Sequence, residues 1–255
     1  MERRDYEKHL MGELCWDCHE ATHGSGKKQR QCPGCRRKWS YEQRRRQWEI
    51  LKAFVLGSTA HHTARTLRIS YPTVWGHYRS WRQCLWEQSE RERPPLCGEI
   101  EADESYFGGR RKGQRGRGAA GKVRVFGLLE RGGKVYSVVV PDCTKETLMA
   151  KIRNHSVKGS VYYTDEFGGY NDLRSHGKHL PVNHQTAFKS GKSHINGIEG
   201  FWSFAKDWHR QTHGVDPDNF PLYLREYEFR FNHRNDDLLD TLYRLTLRPT
   251  LSHKP

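Results

Sequence analysis

Apolar positions across residues 47–82, QWEILKAFVLGSTAHHTARTLRISYPTVWGHYRSWR, recur at helical spacing in three short runs. Leu51, Phe54 and Val55 form one face ahead of Gly57 and Ser58, Ala64, Leu67 and Ile69 form a second, and Val74, Tyr78 and Trp81 form a third that opens on Ser70 and Pro72. Three short helices in this order predict a helix-turn-helix module, with Thr73, His77, Arg79 and Arg82 on polar positions of the last helix, suited to phosphate or groove contacts. A helical spacer with a solvated basic face is the alternative. After the charged, proline-bearing SERERPPLCG the texture changes to strands. EIEADESYF alternates, and the β-rich runs KVRVFGLLE and KVYSVVV are joined by Arg131-Gly132-Gly133, a hairpin signal. TKETLMAKIRNH then reads as an amphipathic helix capped by Thr144, GSVYYTDE as a strand, and KHLPVNH as a short further strand. Helices are predicted to open in SHINGIEGFWSFAK and to run through PDNFPLYLREYEFRFNHR, where Leu224, Tyr227 and Phe231 make a core-facing stripe. Strands and helices in this order predict an α/β fold.

Charge narrows the choice of partner. Lys and Arg number 44 against 30 Asp and Glu, a formal net charge of +14, which favours a polyanion, nucleic acid first. No run of about 18 apolar residues is present and the basic segments lack a lipid-facing stripe, so a soluble protein is expected. The N-terminal MERRDYEKHLMGELCWDC is charged and has no apolar signal region, so secretion is not expected. The seven cysteines are therefore read as ligands or reduced thiols. Cys15-Trp-Asp-Cys18 and Cys32-Pro-Gly-Cys35, two knuckles 13 residues apart, offer four thiolates to one structural Zn²⁺. Cys84, Cys97 and Cys143 stand alone and are expected to be small buried hydrophobes. The resulting division is a zinc ribbon over 1–45, the helix-turn-helix module over 46–90 and an α/β domain over 97–247.

Three carboxylates carry the candidate chemistry. Within EIEADESYF the odd positions Glu101, Asp103 and Ser105 share one face, opposite Ile100 and Ala102, which places Asp103 on a polar face. Asp165 ends the apolar strand VYYTD, where α/β folds set ligand-binding groups. Glu199 and Lys206 are seven residues apart on one helix and look the same way. If the two strands are neighbours, the three acids converge and repel unless cations join them; Mg²⁺ prefers carboxylate oxygen, and a pair of such ions serves phosphoryl transfer. Taken singly, Asp103 also fits an exposed strand acid, Asp165 a turn cap, and the Glu199–Lys206 spacing an ordinary amphipathic helix.

The stretches ADESYFGGRRKGQRGRGAAGKVRVFG, VYYTDEFGGY, HINGIEGFWSFAK and YLREYEFRFNHR, in this order over most of residues 99–234, resemble the zinc-ribbon-bearing DDE transposases of bacterial insertion sequences related to the Merlin elements, of ISXO2-like type. The resemblance implies a ribonuclease-H-like core, a mixed sheet flanked by helices, that cuts and joins DNA with Mg²⁺, Mn²⁺ being able to substitute. Asp103, Asp165 and Glu199 match the catalytic acids and magnesium ligands, with Asn196 in reserve for the third position because some relatives carry Asn there. Lys206 matches the basic residue that follows on the helix, and His194 either orients the metal site or caps the helix. Arg110, Arg111, Lys112, Arg115 and Arg117, in the glycine-rich segment 108–122, are expected to meet phosphate or to form a solvated basic tip. The implied partners are double-stranded DNA, as terminal inverted repeats and as target, and a second copy of the chain when two ends are synapsed. The implied setting is the bacterial cytoplasm at the nucleoid, or the nucleus for a eukaryotic element. A DNA-binding regulator without catalysis and a metal-dependent nuclease without joining activity are the rival functions.

Overall fold

The computed structural model describes Glu13, Cys15 and residues 20–25, 28–108, 122–165, 168–182, 194–212 and 214–247. Cys18 and the basic positions Arg110, Arg111, Lys112, Arg115 and Arg117 lie outside the described residues. The chain divides into two compact units, Met1–Cys84 with Asn235–Pro255, and Leu85–Arg234.

In the first unit, β1 (His23–Gly24), β2 (Gln29–Gln31) and β3 (Lys38–Ser40) form an antiparallel sheet in that order. Ser40 then caps α1 (Tyr41–Val55) by accepting the Gln43 backbone N–H, and Thr59 caps α2 (Ala60–Leu67) by accepting that of His62. Arg68, at φ 54°, ends α2 in the left-handed region, and α3 (Tyr71–Glu92) follows and runs on past Cys84, where the unit ends. Leu51, Phe54, Ala64, Val74, Tyr78 and Trp81 are buried, the faces read from the sequence. Arg82 departs from its expected exposure: it is 7% exposed, its guanidinium lying over the rings of Phe54 and Tyr78, whereas Arg79 is exposed beside Trp75. Its position follows the same stripe as Tyr78, so a long stem packs where the pattern suggested a solvated charge.

The second unit is a five-stranded mixed sheet in the order β6 (Val135–Val139), β5 (Val123–Glu130), β4 (Glu99–Phe107), β7 (Val161–Thr164), β8 (Lys178–Pro181). β6, β5 and β4 pair antiparallel, while β4, β7 and β8 pair parallel. A hairpin meander followed by parallel strands reached through helices is the ribonuclease-H-like arrangement. α4 (Lys145–His155), capped by Thr144, and a 3-10 segment (Gly168–Ser175) cover one face, over a core that includes Ile100, Ala102, Phe126, Leu128, Leu148 and Tyr162. α5 (Asn196–Gln211) and α6 (Phe220–Asn232) cover the other, over Val125, Leu129, Ile198, Phe201, Trp202 and Leu224. The pleat of β4 thus turns Glu101, Asp103 and Ser105 toward α5 and α6, not toward open solvent. Glu101 and Ser105 are 1% and 3% exposed.

The free edge of β6 is closed by side chains. Asn232 accepts the Val135 N–H at 2.8 Å and donates to the Val135 carbonyl at 2.9 Å, as a neighbouring strand would. Glu228 accepts from the Ser137 N–H at 2.7 Å, and Arg225 donates to the Ser137 carbonyl at 3.1 Å. Beside the core stripe, α6 therefore buries Arg225, Glu226, Glu228 and Arg230 as well. The isolated cysteines are less buried than expected: Cys97 is exposed and Cys84 and Cys143 are intermediate, the Cys143 thiol lying 3.7 Å from the Tyr106 hydroxyl. Among the described residues no helix is long and apolar enough to cross a membrane.

Candidate active site

Asp103 sits in the middle of the central strand, opposite Gly127 in the β4–β5 ladder. Its Oδ2 accepts a 3.1 Å hydrogen bond from the Trp202 indole N–H. Gly127 makes this possible: a Cβ there would fall 2.6 Å from the Trp202 ring, so only glycine lets the indole lie across the ladder and reach the carboxylate. Asp165 follows directly on β7, the parallel neighbour of β4, at its carboxyl end. Glu199 stands in the first turn of α5, exposed, with Asn196 and Lys206 exposed on the same helix.

These groups share one electrostatic environment. The Asp103 carboxyl is raised from 3.8 to about 6, first by burial, and further by the negative charges of Asp165 and Glu199. Hydrogen bonds from the Glu104 backbone and Trp202 oppose the rise without cancelling it. Two strands and a helix thus bring three carboxylates of like sign together beside the middle of β4, where the shorter β7 ends. Their oxygen donors and like charge fit a hard divalent cation such as Mg²⁺. Lys206 lies further along β4, its Nζ 6.0 Å from the ring centroid of Phe107, the strand's last residue.

α5 begins without a cap of its own. Ile195, and not His194, holds the cap position, and it offers no side-chain bond. Glu101 supplies the acceptor from β4, its Oε2 taking the Ile198 backbone N–H at 2.9 Å. His194 Nδ1 lies 3.7 Å from the other oxygen of the same carboxylate.

In the first unit, the thiols of Cys15, Cys32 and Cys35 all lie within 4.8 Å of one another. Cys15 and Cys35 sulfurs are 3.6 Å apart, and the Cys35 N–H points at the Cys32 sulfur at 3.5 Å. Two thiolates on one tetrahedral Zn²⁺ stand about 3.8 Å apart for bonds of about 2.3 Å, so the cluster is dimensioned for zinc. Among the described residues the three acids are not gathered that tightly.

Sequence reasoning missed Trp202, Gly127, Glu101 and Arg131, the last of which bonds Glu101. Two signals were available: an isolated glycine inside the strand VRVFGLLE, which marks close approach, and the shared parity of Glu101 with Asp103.

Comparison with known proteins gives the family. An uncharacterized transposase-like protein of Haemophilus influenzae is 42% identical over 100 residues, which is 39% of this chain and 81% of that protein. The integrase catalytic core domain of HTLV-2, solved with magnesium, aligns at 15% identity over 56% of this chain and 89% of its own, with a TM-score of 0.33. The Mos1 transposase in its paired-end complex aligns at 12% identity over 94% and 85%, with a TM-score of 0.29. Both structural alignments are loose, and the fold stands on its own strand order. The model of the ISXO2-like transposase domain matches residues 95–232, more than half of the chain and all five strands of the mixed sheet, and the chain belongs to that family.

Proposed function

We propose that the protein is the DNA transposase of an insertion sequence, which binds the element's ends and cuts and joins DNA with divalent metal. The observation that carries this reading is the placement of three acids: Asp103 on β4, Asp165 directly after its parallel neighbour β7, and Glu199 in the first turn of α5, which packs on the same face of the sheet. Three carboxylates brought together from two strands and a helix suit a metal-dependent phosphoryl transferase.

In this reading Asp103, Asp165 and Glu199 hold Mg²⁺, or Mn²⁺ in its place. The metal supplies activation of the attacking oxygen and stabilisation of the leaving one. Trp202 keeps the Asp103 oxygen aimed by its indole hydrogen bond. Lys206, exposed on the helix that carries Glu199, contacts the DNA backbone as a point charge. Water attacks the phosphodiester at the element's end, the P–O3′ bond breaks, and the departing oxygen takes a proton to become a 3′-hydroxyl. That hydroxyl then attacks a target phosphodiester in a second in-line displacement. No covalent protein intermediate is required. Arg79 and the basic segment with Arg110, Arg111, Lys112, Arg115 and Arg117 add phosphate contacts, and Cys15, Cys18, Cys32 and Cys35 hold a structural Zn²⁺. The helices α1, α2 and α3 serve as the helix-turn-helix module, at least two copies of the chain synapse two ends, and the setting is the bacterial cytoplasm at the nucleoid.

The test is a labelled duplex carrying the element's terminal sequence, incubated with target plasmid and Mg²⁺ or Mn²⁺. Metal-dependent cleaved and joined products are expected, lost in Asp165→Ala and Glu199→Ala. Activity retained in Glu199→Ala would move the third ligand to Asn196 or elsewhere. Cleavage without joining would make the protein a nuclease, and binding without cleavage a regulator.

A further inference from the structure

The carboxylate of Glu101 is 1% exposed, yet it is not one of the three acids. It stands two residues before Asp103 on the same face of β4. Its Oε2 accepts the backbone N–H of Ile198, the residue immediately before Glu199, at 2.9 Å. Its Oε1 accepts Arg131 Nε at 3.0 Å. Arg131 in turn donates Nη1 to Glu99 at 3.0 Å and Nη2 to the His194 carbonyl, and its guanidinium lies 3.6 Å from the Tyr163 ring centroid. One ion pair therefore reaches β4, the β5–β6 turn, β7 and both sides of the first turn of α5.

We infer that Glu101 is a positioning residue: with Arg131 it fixes the start of α5 against β4 and so sets the separation of Glu199 from Asp103. This rests on the proposal that those acids share metal. The physical case is that a helix whose cap position is Ile195 has no side-chain acceptor there for its leading N–H groups. A buried carboxylate from the strand supplies that acceptor and couples the two elements rigidly, with Arg131 neutralising it. Gly197 belongs to the same device, since a Cβ there would meet Glu101 Oε2 at 2.9 Å and Leu129 Cδ2 at 3.0 Å.

The experiment uses the full chain in its zinc-loaded form and two variants, Glu101→Gln and Gly197→Ala. Glu101→Gln keeps the shape but puts an amide donor against either Arg131 or the Ile198 N–H. Gly197→Ala pushes the carboxylate aside while raising helix propensity, so loss of folding is not its expected effect. Two quantities are read: the Mg²⁺ concentration giving half-maximal cleavage, and the dissociation constant for Mn²⁺ from calorimetry without DNA. Both are expected to rise about 10-fold or more, as for loss of a group that orients a metal ligand. Saturating metal should recover much of the cleavage rate, and the effect on Mn²⁺ binding should vanish in a Glu199→Ala background. Variants that lose thermal stability but keep wild-type metal dependence would reduce Glu101 to a structural ion pair and overturn the inference alone. A wild-type protein that neither cleaves nor binds Mn²⁺ would overturn the transposase reading and this inference with it.

Discussion

The substitution Asp103→Asn should stabilise the protein in the absence of divalent metal while abolishing cleavage. The folded carboxyl titrates at about 6 against an ordinary 3.8, chiefly because it is buried. At about 1.4 kcal/mol per pH unit, the difference amounts to about 3 kcal/mol of destabilisation once the group is ionised in both states. The sign follows from proton binding. Below pH 3.8 the group is protonated folded and unfolded, and no penalty exists. Between 3.8 and about 6 the folded state keeps a proton that the unfolded chain releases, so stability falls as pH rises, and above about 6 the loss is complete. The side-chain amide introduced by Asp103→Asn would keep an acceptor for the Trp202 indole and carry no charge. The variant is therefore expected to exceed the wild type by about 2–3 kcal/mol at about pH 7.5, with the gap closing toward about pH 4. The wild-type curve alone would hide this, because His155 works in the opposite sense: burial first, then Arg93 and Lys151, lower it from 6.5 to about 4. Stability due to neutral His155 is present above 6.5 and lost as pH falls through about 4. The difference between variant and wild type cancels that term. The assay is urea denaturation followed by tryptophan fluorescence from about pH 4.5 to about pH 8, without added divalent metal and without chelator, so that thiolate-bound zinc is retained. Mg²⁺ should narrow the gap by stabilising the wild type alone. A variant less stable than wild type at neutral pH, or a gap independent of pH, would refute the reasoning.

Gly127→Ala should drive its new Cβ into the Trp202 ring at 2.6 Å, lowering stability by about 1–3 kcal/mol and displacing the indole from Asp103. Cleavage rate and tryptophan emission should change together, and an unchanged rate would count against Trp202 as the group that aims Asp103. Glu228→Ala strips the acceptor from the Ser137 N–H and leaves Arg225 and Arg93 without their shared buried partner, an expected loss of about 3–5 kcal/mol in urea denaturation. Less than about 1 kcal/mol would mean the edge of β6 does not depend on it. Cys32→Ser, at a site with 0% exposure, should lose bound zinc as measured by metal analysis. Retention of a full equivalent would exclude the Cys15–Cys32–Cys35 cluster as its ligand set. Lys206→Ala should weaken DNA binding evenly across sequences and reduce the slope of log affinity against log salt by about 1.

The carboxylate arrangement was legible wherever it depended on period. Alternation in EIEADESYF put Asp103 opposite Ile100 and Ala102, the strand end put Asp165 at the carboxyl end of β7, and the 3.6-residue repeat put Glu199 and Lys206 on one exposed face. What period alone misjudged was solvent. It marked the odd face of β4 as polar, whereas the face is roofed by α5 and holds Glu101 at 1% exposure. Alternation reports which residues share a face and says nothing about what a later helix, almost a hundred residues on, lays over it. Arg82 failed for the same reason in the first unit, where its stem completes the packing over Phe54 and Tyr78.

The helix YLREYEFRFN presents the harder case, because its pattern was read correctly and still incompletely. Leu224 and Tyr227 are core, as the stripe predicts, but Arg225, Glu228 and Asn232 are spent on backbone groups of β6. β6 lies at the end of the sheet order, so its outward N–H and C=O groups need partners from somewhere other than a strand. Charged and amide side chains at positions i, i+3 and i+7 of one helix face meet that need, since the face runs along the edge. Neither sequence states it alone: KVYSVVV reads as an ordinary strand and the helix as an ordinary amphipath. The information is in the strand order, which makes β6 an edge and thereby converts three surface-like residues into ladder partners. Charged positions on a helix can be assigned to solvent only when the sheet edge beside it is already paired.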